Sequence, residues 1–60
     1  MDDRTIRLSA KLYIEEYGSE AATMAAQNVE TLRNRGDMDG AADWRRVVKE
    51  IYRQLRTEGG

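Results

Sequence analysis

Residues 41–55 read AADWRRVVKEIYRQL, and the spacing of their apolar side chains decides the fold. Ala41, Trp44, Val48, Ile51 and Leu55 recur at intervals of three, four, three and four, with Val47 reinforcing the line. At 3.6 residues per turn these intervals return to one side of an α-helix, so the stretch predicts a helix over about 38–56 with a buried apolar seam centred on Trp44. The last residues, 57–60, are expected as a frayed end.

Just upstream lies the clearest turn, Arg35-Gly36-Asp37-Met38-Asp39-Gly40. Gly36 suits the left-handed residue that closes a helix, and Asp37 or Asp39 suits the N-cap of the next. A connection this short favours antiparallel neighbours, an αα-hairpin. The preceding helix is predicted over about 20–35. Ala22, Ala25, Ala26, Val29 and Leu32 form its inner face, rich enough in alanine for a neighbouring backbone to come close. Ser19 is the expected N-cap of this helix, and Gly18 the stop of the one before.

The first helix is predicted over about 4–17, with Asp2 or Asp3 capping its free N–H groups. Ile6, Ala10, Tyr13, Ile14 and Tyr17 share one helical face. Ile6, Leu8, Ala10, Leu12 and Ile14 also alternate as a half-buried strand would. Helix is favoured because Ala10, Lys11, Glu15 and Glu16 are good helix formers and poor strand residues. One continuous helix bent at Gly18 is the alternative for the first half.

Sixty residues make one domain, residues 1–60. A chain of this size buries only about 60% of the surface its unfolded form exposes. There is no cysteine for a disulfide and no histidine, the commonest metal ligand. Seven of the 24 hydrophobic residues are alanine and none is phenylalanine, so one chain builds a thin core. The expectation is therefore an all-α fold, a small three-helix protomer completed by dimerisation, most simply about a two-fold axis. The interface and core residues are Ala41, Trp44, Val47, Val48, Ile51 and Leu55 on the last helix, and Ala22, Ala25, Val29 and Leu32 on the one before.

With these elements in place, the chain resembles a group of small uncharacterised all-helical proteins of alphaproteobacteria. The matching residues are Tyr17-Gly18, the alanine-rich run Ala21 to Ala26, Gly36-Asp37 with Gly40, then Trp44, Val47, Ile51 and Leu55. The likeness covers most of the chain and implies a helical fold. It implies no activity.

Little in the sequence points to catalysis, and an enzyme is not expected. Ser9 and Ser19 have no histidine to serve as base, and Lys11 and Lys49 sit among solvated charges. Asp37-x-Asp39 resembles the opening of a calcium loop, but position 48, where the closing glutamate belongs, is valine. Helix capping accounts for both aspartates, and stop and start signals account for Arg35-Gly36-Asp37. No cofactor or metal is expected.

The remaining feature is a basic stripe. Arg45, Lys49, Arg53 and Arg56 span about 80° of the last helix, and Arg46 extends them. The chain as a whole carries a net charge of −1. A solvated face stitched by Asp43–Arg46, Arg46–Glu50 and Glu50–Arg53 pairs explains the stripe, and the alternative is an anion or partner surface. A strand–helix–helix DNA-binding dimer would need residues 6–14 to be a strand. The sequence therefore points to a non-enzymatic helical interaction module, a homodimer packed through its second and third helices, with a protein partner as the second expectation. Nucleic-acid binding through the stripe is the alternative. With no membrane-length apolar run and no signal-peptide pattern, cytoplasmic residence is the expectation, and the resemblance implies a bacterial source.

Overall fold

Asp2 opens the first helix, α1 (Asp3–Tyr17), by accepting a hydrogen bond from the Thr5 backbone N–H at 2.8 Å. The computed structural model describes the backbone of residues 1–59 and the side chains of residues 1–57. Ile6 and Ala10 are buried on the inner face of α1, with Tyr13 and Ile14 half-buried beside them. Leu8 and Leu12 point away from that face and stay exposed. The alternation of residues 6–14 is thus carried by a helix, and the strand alternative, with the DNA-binding fold it would permit, is set aside.

Gly18 ends α1 with φ +57° and ψ −125°, outside every region open to L-residues. One 3₁₀ turn, Gly18–Glu20, then leads into α2 (Ala21–Asn34). The first two helices are therefore separate, not one bent rod. Ser19 does not cap α2 as expected. It lies inside the 3₁₀ turn, and Glu20 takes the cap position with no side-chain hydrogen bond.

The α2–α3 turn explains its own sequence. Gly36 has φ +82° and donates to the Arg33 carbonyl, while Asp37 N–H reaches back to Leu32. These are the two crossed bonds that satisfy the last carbonyls of a helix closed by a left-handed glycine. Asp37 then caps α3 (Met38–Gly59), accepting from the Gly40 N–H at 2.9 Å. A Cβ on Gly40 would stand 2.5 Å from the Asp37 carboxylate, so the capping side chain fits because position 40 has none. Helix α3 runs on to Gly59, past Arg56, so residues 57–59 are helical where a frayed end was expected. Gly60 lies outside the described residues.

Helix α3 packs against both α1 and α2. The core comprises Ile6, Ala10, Ala21, Ala22, Ala25, Val47 and Ile51. Ile51 and Val47 are the largest side chains within it that are fully buried. Four alanines from α1 and α2 share this cluster, and their small volume lets the helices approach closely. The result is an all-α, three-helix fold with a slender core.

Candidate functional site

The seam of α3 is largely used up inside one chain. Ala41, Val47 and Ile51 are buried, whereas Trp44, Val48 and Leu55 are half-buried. The centre of burial thus lies between Val47 and Ile51 and not at Trp44. Heptad spacing describes a helix that faces one neighbour, and α3 faces two. Helix α3 meets α1 through Trp44 and Gln54, and it borders clefts with α2 at Trp44 and Val48. Trp44 packs on Tyr13 with ring centroids 5.2 Å apart at 59°, and Tyr13 meets Tyr17 at 5.3 Å. The Tyr13 hydroxyl accepts from the Asn28 side chain at 2.7 Å, fastening the aromatic group to α2.

On α2, Ala22, Ala25 and Val29 are buried and Leu32 is half-buried. Ala21 is also buried, beyond the expected inner face. Ala26, read as an inner residue, is exposed. It forms the floor of an open groove of about 430 Å³ between α2 and α3, together with Val29 and Val48. Arg33 and Glu30 rim this groove from α2, and Arg45 and Lys49 rim it from α3. Glu30 and Arg33 stand 3.8 Å apart.

The basic stripe divides into two parts. Arg53 donates from Nε to both carboxylate oxygens of Glu50, at 3.0 and 3.1 Å, and Arg46 lies 4.0 Å from Asp43. These are two of the three helical pairs expected. The third, Arg46–Glu50, does not form. Arg45 and Lys49 make no ion pair among the described residues, and Arg56 is exposed.

Glu50 is more than a partner for Arg53. The Gln54 amide donates to its carboxylate at 3.0 Å and to the Arg7 carbonyl of α1 at 3.1 Å. Hydrogen bonds from Arg53 and Gln54, with the charges of Arg53 and Arg7, lower the Glu50 pKa from 4.5 to about 2. This clasp between α3 and α1 was not foreseen, because the sequence spacing of 47 residues between Gln54 and Arg7 carries no periodic signal. Just ahead of α1, the Met1 ammonium meets Asp43 of α3 at 2.9 Å.

The Asp37 carboxylate is occupied as a cap. Among the described residues no cluster of three potential metal-binding side chains occurs, and no helix is long and apolar enough to cross a membrane. The α2–α3 groove combines unspent apolar surface with the unpaired charges of Arg45 and Lys49. No protein-family model, curated protein or solved structure matches the chain.

Proposed function

We propose that this chain is a non-enzymatic helical interaction module that self-associates through its α2–α3 face, with a dimer as the smallest assembly. The supporting observation is the groove whose floor is Ala26, Val29 and Val48. Its apolar floor and charged rim resemble the anatomy of an interface, in which a hydrophobic centre is ringed by polar groups. The slender core adds weight, since few large side chains hold one copy together and association would shield more apolar surface. Sedimentation velocity over a dilution series from micromolar to millimolar protein tests the proposal. The sedimentation coefficient should rise with concentration. A folded monomer throughout the series would overturn it.

Binding of a polyanion such as nucleic acid is the alternative, favoured by the unpaired Arg45 and Lys49 beside Arg33. It is weakened by Glu50 and Asp43, which sit against Arg53 and Arg46. It requires affinity that falls steeply with salt. A low-salt titration of labelled duplex and single-stranded oligonucleotides with no binding would eliminate it.

A further inference from the structure

The rim of the α2–α3 groove holds Arg33, Arg45 and Lys49 against one carboxylate, Glu30, for a net charge of +2. Two such rims face to face would set like charges together, which disfavours a symmetric groove-to-groove pair. The outer side of α1 has the opposite character. Leu8 and Leu12, one turn apart, are 55% and 53% exposed and face away from Ile6 and Ala10. Glu15 and Glu16 follow within the next turn, exposed and without an ion pair among the described residues. At about 100° per residue, they lie about 40° and 60° to either side of the leucine mid-line. Lys11 lies further round, about 80° away, and exposed Arg4, one turn before Leu8, lies about 60° away. The chain thus carries an apolar ridge flanked by carboxylates at its C-terminal end and an apolar groove edged by cations.

We infer that the α2–α3 groove takes the Leu8–Leu12 ridge of a second copy of this chain, with Glu15 and Glu16 set against Arg33, Arg45 and Lys49. This rests on the proposed self-association and names the two surfaces that meet. Because the two surfaces differ, a one-sided contact leaves one groove and one ridge open and propagates into a ring or a stack, whereas a reciprocal contact about a two-fold axis fills both grooves in a closed dimer. Two leucines and one shallow groove fall short of the ~800 Å² per partner of a standard stable interface. The association is therefore transient, and added salt weakens it.

The test uses two full-length variants altered only at exposed side chains. Arg45→Glu/Lys49→Glu changes the groove, and Glu15→Lys/Glu16→Lys changes the ridge. Circular dichroism verifies that both fold. In sedimentation velocity, each variant alone should associate about tenfold or more weakly than the parent. An equimolar mixture should regain association, because each variant supplies the surface that the other lacks. A ridge variant that self-associates like the parent would overturn the inference and leave groove-based self-association standing. A mixture that stays monomeric would also overturn it. A parent that is monomeric at every concentration would overturn both proposals.

Discussion

Ile51→Ala is the substitution that most directly tests the packing. Ile51 is fully buried and shares its cluster with Ala10, Ala21, Ala22 and Ala25. Truncating a buried isoleucine costs about 2–5 kcal/mol, and the value rises where the surroundings cannot collapse into the hole. Alanines have no side-chain length with which to refill it, so we expect the upper half of that range, about 4 kcal/mol. At about 0.05–0.15 kcal/mol per residue, the whole domain is worth about 3–9 kcal/mol. One substitution therefore removes from just under half to all of the stability. With about 4–8 °C of melting temperature per kcal/mol for a domain of this size, the midpoint should fall by about 15–30 °C. Thermal melts followed by circular dichroism at one fixed protein concentration provide the measurement. Tyr52→Ala is the paired control, because Tyr52 is 57% exposed and its loss should stay within about 0.5 kcal/mol. An Ile51→Ala midpoint within about 5 °C of the parent, or a Tyr52→Ala loss of equal size, would refute the assigned core.

Three other outcomes follow from the same structure. Trp44→Ala should cost about 2–3 kcal/mol, less than Ile51→Ala, because Trp44 is half-buried and packs on Tyr13 and the edge of the core; urea titration ranks the two. Gly18→Ala should cost about 1–3 kcal/mol, since alanine is strained at φ +57° and ψ −125° although nothing stands within 4 Å of the added methyl group; an unchanged melting midpoint would refute this. Glu50 titrates lower in the folded protein than its ordinary 4.5, so its contribution is complete above pH 4.5 and is lost as the pH falls to about 2. Because Arg53 is largely exposed, solvent screening limits that contribution to about 0.5–1 kcal/mol. Urea midpoints of Glu50→Gln and the parent should differ at pH 7 and converge near pH 2, and a gap that persists in acid would contradict the assignment.

Local signals in the sequence were the easiest to read. Gly18 and Gly36 mark the helix ends because backbone conformation at those points is a property of the residue itself. Asp2 and Asp37 mark helix starts because a cap reaches only three residues ahead. Helical spacing found the seam of α3, but it placed the centre at Trp44, since periodicity registers one buried face and cannot show that two helices divide it. Leu8 and Leu12 supplied the competing strand signal, because their alternation with Ile6 and Ala10 comes from a solvent-facing ridge on a helix. The groove joins Ala26 to Val48, and the clasp joins Gln54 to Arg7. Both depend on how distant segments meet, which no local pattern in a single sequence encodes.

The position of Trp44 gives the molecule a built-in optical gauge. The only indole in the chain belongs to α3, lies 5.2 Å from a tyrosine of α1, and lines a cleft with Asn28 and Leu32 of α2. Energy transfer from Tyr13 to Trp44 is efficient at that separation and falls when α1 departs, leaving the share from Tyr52 of α3 itself. The wavelength of indole emission responds separately to water entering beside α2. One fluorophore therefore distinguishes the release of the first helix from the opening of the hairpin, without any added label.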